Sequence, residues 1–198
     1  MGKVGSVIGS SRNGKDYVKG LHKKRTKKVS KTELANRSKF TIAQNWLSPV
    51  LDYVRQGFKG YSAYSYGFIA AKSHLLLNAV EGVKPNFTIN PALVKVSFGT
   101  LPLSNNIAVE KVKPKTLKFT WNKDWDSGGS DYDQVTLLAY DIENENSYYS
   151  LMGEFRKTGS DVLKLGSGKG RTYHIYLTFI ADDRSRQSDS VYLGTITT

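Results

Sequence analysis

The chain of 198 residues is 39% apolar and 12% aromatic, enough to fill a globular core and too much for wholesale disorder. It has no cysteine, which excludes thiol nucleophiles, disulfides and thiolate metal sites together. The net charge of +12 is unevenly placed: residues 1–60 carry fourteen Lys and Arg against three carboxylates (Asp16, Glu33, Asp52), and the remainder carries fifteen against fourteen. A near-neutral body with a basic front end points to an anionic partner for that end.

In chain order, residues 3–21 read as a β-hairpin. Val4, Ser6 and Ile8 lead into Arg12-Asn13-Gly14-Lys15, and Asn-Gly is the strongest short hairpin signal; Tyr17, Val18 and Leu21 form the return strand. The alternation is thin and glycine-rich, so this hairpin needs something to lie on. The basic connector His22-Lys23-Lys24-Arg25-Thr26-Lys27-Lys28 ends at a helix start, marked by a Ser30/Glu33 capping box and a Val29/Leu34 staple. Phe40, Ala43, Leu47, Val50, Leu51, Val54 and Phe58 then recur on one helical face. Ser48-Pro49, read as N-cap and first helical residue, predicts a kink or two abutting helices. Gly57 and Gly60 close that run, and a further helix is predicted from Ala63 or Tyr66 to Val80, stopped by Gly82 and Pro85.

From Phe87 the period switches to two. Strands are predicted at 87–99, 107–112, 116–122, 133–142, 147–156, 161–165, 171–181 and 190–197, with clear alternation in Leu117/Phe119/Trp121 and Tyr173/Ile175/Leu177/Phe179. Short strands at regular spacing with no helices between them predict a sandwich or barrel.

Trp121 on the second core strand, Leu165 before a turn and the run Thr172 to Phe179, with Tyr173 at a tyrosine-corner position, make the second half resemble a fibronectin type III or immunoglobulin-like module. The prolines of fibronectin-type turns are missing. The expected fold class is α+β: an N-terminal β-hairpin and two or three helices over residues 1–85, then an immunoglobulin-like antiparallel β-sandwich over 86–198. The whole chain also resembles a family of uncharacterised proteins of about this length from Bacteroidota, on Gly2 to Gly9, Lys23-Lys24-Arg25, Leu34 to Phe40 and Leu47-Ser48-Pro49. The glycine-rich opening, basic turn and Arg/Phe/Trp helix loosely resemble small structural proteins of tailed phages, which implies a role in assembly.

No catalytic motif is visible. Serine-type chemistry needs a His held by a carboxylate beside a nucleophile, and His22, His74 and His174 lie far apart in sequence outside any motif; the chain is read as no enzyme, with no cofactor and no small-molecule substrate. Asp124, Asp126, Asp131 and Asp133 around Gly128-Gly129 could wrap a calcium ion. An EF-hand loop would end in Glu, and position 135 is Val, so these letters are read as a solvated turn. Met1-Gly2 with Ser6 loosely fits a myristoylation pattern. No apolar stretch or cleavage site opens the chain, so no signal peptide is expected. The longest apolar run, Ala70 to Val80, is broken by Lys72 and His74, too short to span a membrane. Synthesis in the cytosol is expected, with retention there or export into a virion-like or extracellular assembly.

Lys19, Lys23, Lys24, Arg25, Lys27, Lys28, Lys31, Arg37 and Lys39 are the expected contacts to an anionic partner. The function read from these residues is a non-catalytic assembly protein, a virion-like or filament subunit and homo-oligomer. Its basic arm and strand edges would meet neighbouring copies, and Phe40, Trp46 and Phe58 would be buried between them. One alternative is non-specific nucleic-acid binding by the same basic segment. Another is a carbohydrate- or surface-binding sandwich using Trp125, Tyr132, Tyr148 and Tyr149.

Overall fold

The computed structural model describes residues 2–12, 14–24, 26–62, 66–124, 128–166 and 170–198. The chain is α+β and divides into two compact units, residues 1–35 and 36–198. In the first, β1 (Lys3–Val4), β2 (Val7–Arg12) and β3 (Lys15–Gly20) form an antiparallel sheet in that order. The predicted hairpin is therefore present with an extra short strand. Gly5 makes this strand feasible, because its φ of +57° closes a tight turn that a residue with a side chain would resist.

Helix α1 (Lys31–Leu47) opens with the Glu33 amide donating to Ser30 Oγ at 3.1 Å, the forward half of a capping box. It ends at a 3-10 turn, Ser48–Val50, before α2 (Leu51–Gly57). The break falls where it was expected, by a different device: Ser48 does not cap α2, and its hydroxyl donates back to the Gln44 carbonyl at 2.8 Å. Pro49 has no N–H to continue the ladder. Helix α3 (Gly67–Asn78) gives way directly to β4 (Val80–Val83), which pairs with β5 (Asn86–Ile89). Val80 is thus a strand residue, not the last turn of a helix.

The single strand expected at 87–99 is broken. Phe87 to Ile89 belong to the β4–β5 hairpin. Pro91 cannot donate to a ladder, and Asn90 Oδ1 accepts the Ala92 amide at 3.1 Å to close a 3-10 turn. Residues 94–101 then run extended between two other segments. The Phe98 amide donates to the Gly57 carbonyl at 2.9 Å, and the Leu101 amide to the Gln187 carbonyl at 3.0 Å. Gly57 is more than a helix stop: a Cβ there would lie 2.3 Å from the Val96 carbonyl oxygen, so only glycine lets this segment lie against α2.

The seven remaining strands follow the predicted order: β6 (Ala108–Lys113), β7 (Thr116–Thr120), β8 (Gln134–Asp141), β9 (Asn146–Ser150), β10 (Ser160–Lys164), β11 (Thr172–Ile180) and β12 (Val191–Thr197). They pair antiparallel as β10-β7-β6 and β12-β11-β8-β9. One face of β8 and β11, carrying Val135, Leu137, Ala139, Tyr173, Ile175, Leu177 and Phe179, packs on Leu117, Phe119 and Leu163 of the three-stranded sheet. The opposite face carries Leu138, Tyr140 and Tyr176 into a second core with Ala43, Trp46, Leu47, Val54, Phe58 and Leu75 of the helical segment. The second unit therefore has three layers: helices, four-stranded sheet, three-stranded sheet. The expected boundary at residue 85 falls inside this unit, because the helices share a core with the sheet.

Tyrosines stitch the helical seam. The Tyr53 hydroxyl reaches Thr136 Oγ1 at 3.1 Å, Tyr140 donates to the Trp46 carbonyl at 2.9 Å, and Tyr176 to the Pro91 carbonyl at 2.7 Å. Burial raises the pKa of all three phenols. Tyr173, expected at a tyrosine corner, is buried edge-on to Tyr148 with ring centres 6.0 Å apart. Its hydroxyl gives no hydrogen bond to a backbone carbonyl among the described residues, so that motif is not formed.

On the sheet-to-sheet side the core holds one buried ion pair. Arg156 is fully buried, with its guanidinium 4.0 Å above the centre of the Phe179 ring. Its Nη2 lies 3.1 Å from Asp133 Oδ2, its Nη1 donates to Ser104 Oγ at 2.7 Å, and Nη2 also donates to the Pro102 carbonyl at 2.8 Å. The Arg156 carbonyl accepts from Trp121 Nε1 at 2.8 Å. Desolvation pulls the guanidinium pKa down, and the Asp133 charge opposes that shift. Arg156→Met would strand the Asp133 carboxylate in the core. A loss of about 3–5 kcal/mol is expected in urea unfolding, with partial recovery when Asp133→Asn is added.

Candidate functional site

Strand register sorts the N-terminal sheet into two unlike faces, since paired residues share a face and neighbours along a strand alternate. Lys3 pairs with Ile8 and Ile8 with Lys19; Ser10 pairs with Tyr17, and Arg12 with Lys15. One face thus carries Lys3, Arg12, Lys15 and Lys19 around Ile8 and Tyr17. The other is built from the pairs Val4/Val7, Val7/Gly20, Gly9/Val18 and Ser11/Asp16. It holds three valines, small residues and one carboxylate. A hollow of about 440 Å³ is lined by residues of both faces, Gly9, Ser10, Ser11, Asp16, Tyr17 and Val18. Val4 is 76% and Val18 70% exposed, and neither hydrophobic core includes a described residue from 1–35.

Of the basic residues singled out in the sequence, Lys19 sits on the cationic face of this sheet. Lys23, Lys24, Lys27 and Lys28 are exposed in the connector, and Lys31 opens α1. Arg25 lies outside the described residues, as does Asn13 of the hairpin turn. Arg37 and Lys39 belong to the second unit, where Lys39 Nζ sits 4.8 Å over the Phe87 ring. Sequence reasoning missed Lys3, Arg12 and Lys15. The signal was available: a two-residue Asn-Gly loop fixes the register that pairs Arg12 with Lys15.

The three aromatics expected at subunit contacts part company. Trp46 and Phe58 are buried in the helical core, because α1 and α2 turn that face onto β8 and β11; they belong to the intramolecular seam. Phe40 is 54% exposed, with Lys72 Nζ 5.8 Å over its ring. The tyrosines considered for a sugar platform do not align. Tyr132 is edge-on to Phe155 under Lys157, Tyr149 is edge-on to Tyr53, and Tyr148 to Tyr173. Trp125 lies outside the described residues.

Of the four aspartates considered for a calcium ion, three lie among the described residues. Asp133 turns inward to Arg156 and accepts the Ser130 amide at 2.8 Å, and Asp126 lies outside the described residues. Asp124 and Asp131 are exposed. Among the described residues no group of three or more His, Asp or Glu side chains is placed to hold a metal, and no helix is long and apolar enough to cross a membrane.

The molecule is thus an α+β chain with a two-faced basic sheet ahead of a three-layered body. The model of a family described as "Family of unknown function (DUF6266)" matches residues 1–194, and the chain belongs to that family. No curated protein matches it.

Among the described residues no histidine makes a hydrogen bond to a carboxylate. His22 is exposed beside the Lys23 carbonyl, His74 packs among Phe58 and Phe98, and His174 Nδ1 lies 2.9 Å from the Tyr192 hydroxyl. Burial lowers the pKa of His74, helped by the nearby Lys95 charge. Burial also lowers that of His174, opposed by Asp141 and Glu143. A histidine whose folded pKa is lowered takes up its proton more readily when unfolded. Stability is therefore full above the ordinary histidine pKa of about 6.5 and falls as the pH drops through the lowered values. Urea midpoints measured from pH 7.5 down to pH 5 are expected to decline over that window, and less steeply in a His74→Gln/His174→Gln variant.

Proposed function

We propose that the protein is a non-catalytic assembly subunit, virion-like or filament-forming. Its N-terminal sheet packs its valine face on a neighbouring copy. The observation that carries this reading is the sheet itself. Three short strands leave Val4 and Val18 in solvent and put no described residue into either hydrophobic core, and such a sheet is marginal until another surface covers it. The nearly uncharged valine face suits burial against protein. Packing by this face is a better mechanism than strand addition at the edges of the body. There β6 carries Lys111 and Lys113 across a register shift, and β12 is bulged near Gly194. Lysines and bulges blunt strand edges.

The body of such a subunit is read as an immunoglobulin-like sandwich. Numbering β6 to β12 as seven consecutive strands, the first, second and fifth pair together, and the third, sixth and seventh pair in the facing sheet. This order resembles the immunoglobulin plan with the fourth strand moved beside the third, which supports the reading. Sandwiches of this plan serve many unrelated tasks, so the assembly role rests on the arm.

Light scattering after size exclusion, with negative-stain microscopy of nuclease-treated protein, tests the reading. Regular oligomers, filaments or shells are expected from the full chain. Deletion of residues 1–30 or a Val4→Glu/Val18→Glu variant should yield monomers. The stability of the body should change by no more than about 0.5 kcal/mol, as for surface substitutions. Monomeric wild-type protein, or a deletion variant of unchanged size, would sink it.

A further inference from the structure

We infer that the cationic face of the N-terminal sheet binds single-stranded nucleic acid, with Tyr17 stacking on a base between two rows of phosphate contacts. This does not rest on the assembly reading, which uses the opposite face. The pairing places Arg12 directly across from Lys15, and Lys3 and Lys19 on either side of Ile8. Like charges directly opposite in a sheet repel and cost stability. Asp16, the only carboxylate in the sheet, lies on the other face, and none of the four cations has an ion pair among the described residues. An arrangement that repels itself and has no internal counter-charge is matched by a polyanion.

Three features select the polyanion. The cation rows lie four residues apart along β3, roughly 13 Å at the usual strand rise, with Tyr17 midway and 43% exposed. A ring flanked by cations offers a π-face to any base and charge to the backbone on both sides, the combination by which single strands are held without sequence preference. A β-ribbon can enter a duplex major groove, but an exposed ring between cation rows is best used by a base that is free to unstack, which favours a single strand. A lipid surface would instead be met by the valines, and these point away from the cations.

The test uses the full-length protein and a fluorescein-labelled oligothymidylate of about 20 nucleotides, followed by anisotropy. Four phosphate contacts imply that affinity falls about 50-fold between about 50 and 200 mM salt. Tyr17→Ala should weaken binding about fivefold or more, and Tyr17→Phe should not. Arg12→Gln/Lys15→Gln should flatten the salt dependence by about half. Because it removes a repulsive pair, its loss of binding cannot be assigned to unfolding of the hairpin. Several outcomes would overturn the proposal: no binding at low salt, equal binding by Tyr17→Ala, equal affinity for a hairpin duplex, or binding to phosphatidylserine vesicles with none to the oligonucleotide.

Discussion

The constraint that organises the second unit is the two-sided burial of β8 and β11. Both strands are apolar on each face, so the four-stranded sheet has no side it can leave in water. The chain must supply two covers. It supplies one from the helices ahead of the sandwich and one from β6, β7 and β10. The tyrosine hydroxyls at the helical seam and the Gly57 approach follow from this demand, since a cover must sit close and pair most of the polar groups it buries; among the described residues Trp46 Nε1 and His74 Nδ1 are buried there without a hydrogen bond. A helical segment that closes a sheet's exposed face cannot be a separate domain.

Much of this was legible along the chain. Strand order from residue 107 onward follows from alternation and turn residues, and the break between α1 and α2 from Pro49. The lost strand at 87–99 shows the limit: Phe87/Ile89 and Val94/Val96 each alternate, but the phase slips by one between them, at the turn made by Asn90-Pro91. The shared core was visible in a form easily passed over. Val135 to Tyr140 and Ile175 to Ile180 are near-continuous apolar runs, which signal burial on both faces, and reading only every second residue hides half of that signal.

Arg156 and the arm show two fates for a positive charge. Arg156 sits in an ordinary-looking Glu-Phe-Arg-Lys stretch, and no local pattern says that this cation is buried while Lys157 beside it covers the Tyr132 ring. Only the closing of the two sheets brings Asp133, Ser104 and Phe179 to it, a convergence of residues up to 54 positions apart in its hydrogen bonds. The cations of the N-terminal sheet are the reverse case. Their placement is purely local, set by a two-residue loop, and was readable once the register was written out.

That the described residues of 1–35 lie outside both hydrophobic cores has an evolutionary consequence. Selection on core packing acts weakly on that stretch, because its described side chains fill neither core. Its partner-facing chemistry can drift, duplicate or be exchanged between lineages while the layered unit behind it stays fixed. A molecule built this way can change what it touches without renegotiating how it folds.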